Sequence, residues 1–210
     1  MGGRRFRLPT LATPPPICGS LAQQAPRLPT PPSMWGGRFR LPTSWRPSHA
    51  LAGITLGTAV FLIWIGPDRL FGYRHFWLFE NSLFGSTAGS APPELRASLE
   101  FRIVRAMGST VLVPIVEELF WRGWLMRWLI DSRFRKVPLG TYAPAAFWLV
   151  ALLFASEHGP YWEVGLAAGV LYNWWMVRTH NLADCILAHS VTNGLLSAYV
   201  LMADRWQYWL

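Results

Sequence analysis

At 210 residues, with 52% hydrophobic and only 14% charged residues, the chain is too apolar and too segmented for an ordinary soluble domain. The formal charge of +8 would suggest a nucleic-acid partner, but residues 1–49 hold 7 of the 19 basic residues and no acid, leaving 12 basic against 11 acidic in the rest. Basicity is therefore a property of a tail, and no nucleic acid is expected as a partner. Cys18 and Cys185 lie in such different settings that they form no disulfide framework. Prolines interrupt any apolar stretch in the first 30 residues, so no signal peptide is expected there and the run from Leu51 is expected to insert the chain.

In chain order, residues 1–49 read as a Pro/Arg-rich low-complexity tail, extended or disordered, because Pro14 to Pro16 and Pro31-Pro32 forbid regular helix. Arg5 to Thr10 returns as Arg38 to Thr43, a repeat too short for a solenoid unit, and its arginines suit a membrane surface. Residues 50–210 read as one membrane-embedded domain. Leu51 to Gly66 is the first span, about 24 Å long and slightly short for a bilayer core. Tyr73 to Phe84 is aromatic but broken by Arg74, His75, Glu80 and Asn81, which places it at the interface. Ser86 to Pro93 is a loop before a charged helix start at Glu94 to Arg105. A helix from about Ala106 to Ile130 follows, in which Pro114 frees the Thr110 carbonyl and bends the axis. Spans at Pro144 to His158, Tyr161 to Val177 and Leu182 to Met202 complete an all-α polytopic bundle of about five membrane helices, with lipid as its surroundings. The basic loop Arg133 to Lys136 and Arg178 mark the cytoplasmic side, which puts the tail inside and Leu210 outside.

The chemistry concentrates in Val113 to Trp124, where Glu117, Glu118 and Arg122 sit in an otherwise apolar run. Ionised groups there cost about 2.5–3.5 kcal/mol each on insertion scales, so they are functional candidates with partners nearby. Glu118 and Arg122 are four apart and share a helix face, leaving Glu117 free. Peptide hydrolysis needs a base for water, a proton path to the leaving amine and donors for the oxyanion. Glu117 is the candidate base and then acid, and His158 a partner for the water. His189 and Asn193, four apart on one face, are candidate oxyanion donors. By helical rise, Glu117 and His158 each lie about 21 Å from their cytoplasmic ends but His189 only about 10 Å, so the turn at Thr179 to Ala183 must be sunk for all three to meet.

Glu-Glu-x3-Arg, Phe154-x3-His158 and His189-x3-Asn193, in this order on successive apolar segments, resemble the CPBP family of intramembrane proteases, which includes CAAX prenyl proteases and bacteriocin-processing relatives. The resemblance implies the same roles: Glu117 and His158 activating water, His189 and Asn193 forming the oxyanion pair, Glu118 and Arg122 in support. The segment from His189 through Trp206 and Trp209 is most similar to the bacterial exosortase-associated, PEP-CTERM-related branch, which implies an inner-membrane location. Relatives generally carry further helices before the glutamate helix, so residues 1 to about 45 are expected to replace or mis-extend the family's start. The expected substrate is a protein or peptide cut close to the membrane: a CAAX-like tail, a bacteriocin-type leader or a sorting-signal protein.

Glu117, His158 and His189 also make a zinc set with an open position. Direct glutamate catalysis is favoured because an amide at the fourth residue suits an oxyanion donor better than a metal ligand. The alternative to an enzyme is an immunity or scaffold protein that keeps the polar network to hold helices together. An ion carrier is disfavoured, since no inverted repeat or broken helix pair is visible. Among the remaining polar residues, Cys185 reads as core, Ser190 and Ser197 as helix packing, and Asn173 as an interhelical donor. Glu157, about 100° round the helix from His158, reads as interfacial or as a support behind the histidine; His49, His75 and His180 read as solvated, and most tryptophans as anchors at span ends.

Overall fold

The computed structural model describes residues 47–79, 81, 85 and 91–209. The tail to residue 46, residues 86–90 of the expected loop, Glu80 and the His75 side chain lie outside this description. Among the described residues the fold is all-α, with one isolated bridge between Asn81 and Gly85.

Helix α1 (Pro47–Phe71) is 25 residues long, about 37 Å, and not the short span expected from Leu51 to Gly66. It starts inside the stretch read as tail, with Pro47 at a first position where a missing N–H costs nothing. Its last turn persists beyond Gly66 because Asp68 is anchored: Oδ2 accepts from the Tyr208 hydroxyl at 2.6 Å and Oδ1 lies 3.5 Å from Arg74 Nε. His49, expected to be solvated, lies 2.8 Å from the buried Asp184 carboxylate. The exposed His180 likewise has a partner, the Leu139 carbonyl at 2.9 Å.

After α2 (Pro93–Ala97), Ser98 caps a helical course through residues 99–128, its hydroxyl accepting from the Phe101 N–H at 3.3 Å. That course is α3 (Leu99–Met107), a π segment (Gly108–Leu112), α4 (Val113–Glu118), a second π segment (Leu119–Leu125) and α5 (Met126–Trp128). Three apolar helices follow: α6 (Pro144–Ser156), α7 (Trp162–Thr179) and α8 (Leu182–Ala203). Of the described helices, α1 and α8 are long and apolar enough to cross a membrane, whereas α6 is shorter.

Packing follows from small residues. A Cβ on Gly57 of α1 would collide with the Ala188 carbonyl of α8, and one on Gly169 of α7 would lie 3.2 Å from the Ala151 backbone of α6. Close backbone approach at such residues drives helix association where lipid supplies no hydrophobic drive. Val60, Val150, Phe154, Met176, Cys185 and Val200 fill the interior, while Leu62, Trp148 and Leu152 face outward.

The interfacial reading of Tyr73 to Phe84 is corrected at Arg74, which is only 3% exposed. Its guanidinium donates to the Pro160 carbonyl at 3.0 Å, pairs with Glu163 at 2.9 Å and lies 3.9 Å over the Tyr161 ring. The buried charge thus sits between a carbonyl, a carboxylate and a ring, and it pins the turn after His158.

Gly57 and Gly66 lie on one helix, the first against α8 and the second with nothing within 4 Å. Gly57→Ala should destabilise the protein by about 1–3 kcal/mol through overpacking, whereas Gly66→Ala should be neutral or stabilise it by up to about 1 kcal/mol. Thermal midpoints of the two variants in one detergent check the contrast.

Candidate active site

The site starts from Arg122, whose side chain is wholly inaccessible. Its Nη1 donates to Glu118 Oε1 at 2.9 Å, Nε to Asn173 Oδ1 at 2.9 Å and Nη2 to the Gly169 carbonyl at 3.2 Å. Asn173 donates onward to the Phe147 carbonyl at 2.8 Å, as an interhelical donor linking α7 to α6. The rings of Phe154 and Tyr172 cover the guanidinium at 4.7 and 5.5 Å. Glu118, also fully buried, accepts a second bond from His189 Nδ1 at 2.9 Å. One carboxylate thus ties the glutamate helix to α8, and His189 is clamped further by stacking on Tyr172 at 5.0 Å.

Glu117 is placed differently. Its side chain is 25% exposed against 0% for Glu118, and it lines a cavity of about 590 Å³. Oε2 is buried, accepts no hydrogen bond from the described residues and lies 4.0 Å from His189 Nε2. The same cavity is lined by His158, His189, Asn193 and Glu157, with Trp64, Leu112, Leu196 and Trp209 among its apolar walls.

His158 lies just beyond α6, and Gly159 turns the chain with φ of 51°. His158 Nδ1 lies 2.6 Å from the Phe154 carbonyl. A carbonyl can only accept, so Nδ1 carries the hydrogen and Nε2 the lone pair. Because helix geometry ends at Ser156, the 100° offset that set Glu157 apart does not apply. Glu157 lines the cavity beside His158 and accepts from the Trp121 indole N–H at 3.0 Å.

Asn193 donates to the Ser109 carbonyl at 2.9 Å, which leaves one N–H of its amide for another acceptor. The reason lies in the π turn. Val113 N–H bonds to the Gly108 carbonyl, five residues back, and in that register the bond that Pro114 cannot make is the one to Ser109, not to Thr110 as the α-helical spacing predicts. Asn193 fills it from α8.

Residues 99–195 match the family model described as Type II CAAX prenyl endopeptidase Rce1-like. This stretch is of the CAAX prenyl endopeptidase family. That family is one of membrane-embedded proteases, which act on a protein or peptide. The match spans all seven residues named in the three motifs and stops short of Trp64, Tyr208 and Trp209, which also line the cavity. No curated protein and no solved structure matches the chain.

A metal ion at Glu117, His158 and His189 would need three ligands around one point. No three His, Cys, Asp or Glu side chains among the described residues are grouped closely enough to hold one. His189 Nδ1 is bonded to Glu118 and His158 Nδ1 to a carbonyl, which leaves Nε2 of each ring open, so among the described residues the mismatch lies in the spacing of the three groups and not in their donor atoms.

Three elements of the site were not singled out from sequence as parts of it: Trp121, Tyr172 and Asn173. Trp121 lies four residues after Glu117 on the same helix, a spacing that points both toward one face.

Arg122→Ala should be the most damaging single change in this network, because it leaves Glu118 buried without its cation at a cost of about 3–5 kcal/mol. Asn173→Ala should cost less, about 1–3 kcal/mol for the unsatisfied partners it leaves. The amount of folded, detergent-extracted protein and its thermal midpoint measure the order.

Proposed function

We propose that the chain hydrolyses a peptide bond in this cavity with a water activated by Glu117. The supporting observation is the division of labour between adjacent carboxylates: Glu118 Oε1 accepts from both Arg122 and His189, whereas Glu117 is the one of the two that lines the cavity. A water there can give its proton to Glu117 and donate its other hydrogen to the Nε2 lone pair of His158. The hydroxide attacks the carbonyl carbon, and charge develops on the carbonyl oxygen. With Nδ1 bonded to Glu118, His189 in its imidazolium form carries a second N–H at Nε2, which with the remaining N–H of Asn193 supplies donors for that oxyanion. No step passes through a metal ion.

The substrate class is a CAAX-like tail, which the family description names, with bacteriocin-type leaders and sorting-signal proteins as the other membrane-proximal candidates. The setting is a bacterial inner membrane, on the likeness of the segment through Trp206 and Trp209 to the exosortase-associated branch.

Glu117→Gln should fold and accumulate like the wild type, since the residue anchors no hydrogen bond of the scaffold, yet lose turnover. Comparing protein termini across the membrane proteome of the source cells, wild type against Glu117→Gln at matched abundance, should show particular new termini vanish in the variant. Identical sets of termini at equal abundance would favour a scaffold or immunity role.

A further inference from the structure

The cavity holds a second carboxylate that the reaction as proposed does not use. Glu157 is placed at the end of α6 and faces the same space as Glu117. Its Oε1 is held at 3.0 Å by the indole N–H of Trp121, itself 7% exposed and packed against Phe120 and Phe154. Trp121 is one turn from Glu117, so a single face of the glutamate helix sets the positions of both carboxylates.

Two carboxylates in one largely apolar cavity do not both ionise readily, and the proton goes to the one with the poorer charge partner. Glu117 has His189 Nε2 at 4.0 Å, whereas the partner holding Glu157 is a neutral indole. We infer that Glu157 is the general acid of the reaction, delivering the proton to the leaving amine, and that Trp121 is its positioning residue. The inference rests on the hydrolysis proposed above.

The steps balance. Water loses a proton to the Glu117 carboxylate, and the hydroxide adds to the carbonyl carbon. As the tetrahedral intermediate collapses, the C–N bond breaks and the nitrogen takes the proton of the Glu157 carboxylic acid. A proton then passes from Glu117 to Glu157, which restores both groups and leaves one carboxylic acid and one amine per water consumed. A leaving amine must be protonated to depart, whereas a nitrophenolate departs as the anion. Only the amide reaction therefore needs Glu157.

The test uses full-length protein in proteoliposomes and two probes: a peptide with a prenylated CAAX end, and its counterpart with the scissile amide replaced by a nitrophenyl ester. Glu157→Gln should lose amide turnover by about 100-fold or more, in the usual range for general acid catalysis, while hydrolysing the ester within about threefold of wild type. Trp121→Phe, which keeps a ring but removes the N–H, should shift the same ratio in the same direction by a smaller factor. Glu117→Gln should lose both reactions. If Glu157→Gln keeps its amide activity, or loses amide and ester in parallel, the acid role is overturned while the loss in Glu117→Gln still supports hydrolysis through Glu117. If Glu117→Gln retains both activities, or the wild type acts on neither probe, the underlying hydrolysis reading falls and this inference with it.

Discussion

A guanidinium sealed in an apolar interior must have its nitrogens engaged, and much of the arrangement around the cavity follows from satisfying Nε, Nη1 and Nη2 of Arg122. Its partners come from its own helix (Glu118) and from α7 (Asn173 and the Gly169 carbonyl), while Asn173 carries the link to α6 and Glu118 carries it to His189 on α8. Such a network contributes little net stability, because desolvation offsets the attraction. Its value is geometric: four helices are held in one register, and an imidazole is fixed with its second nitrogen toward Glu117.

Backbone irregularity supplies the rest. In α-helical register the carbonyl that Pro114 leaves open would be that of Thr110. The π turn before Pro114 leaves the Ser109 carbonyl for Asn193, and a second π turn follows Glu118 at once. π turns in long helices often accompany functional sites, and here they flank the two glutamates. At the far end of α6, the helix stops one residue short of Glu157, Gly159 turns the chain, and Arg74 holds the following carbonyl. Gly165 matters in the same way, since a Cβ there would lie 3.1 Å from the His158 ring.

Much of this was legible in the sequence. The apolar helices after residue 47, the pairing of Glu118 with Arg122 and the interhelical donor Asn173 follow from hydropathy, i to i+4 spacing and the cost of a polar side chain among apolar ones. What was not legible depended on register. A one-residue change in hydrogen-bond spacing moved the orphan carbonyl from Thr110 to Ser109, and the end of α6 brought Glu157 to the cavity. His49 read as solvated and Arg74 as part of an interfacial stretch, but their partners Asp184 and Glu163 are about 135 and 90 residues away, a separation no local pattern encodes. The resemblance of the motifs gave the family, which the match over residues 99–195 supports independently.

Oxygen transfer gives the most direct access to the central claim, that Glu117 activates a water for peptide hydrolysis. Purified protein is incubated with a prenylated CAAX peptide in ¹⁸O-water, and the product acid is weighed by mass spectrometry after short reaction times. The account predicts one ¹⁸O in the new carboxyl group with the wild type, and no product from an equally folded Glu117→Gln. Equal rates of labelled product from the two proteins would contradict it.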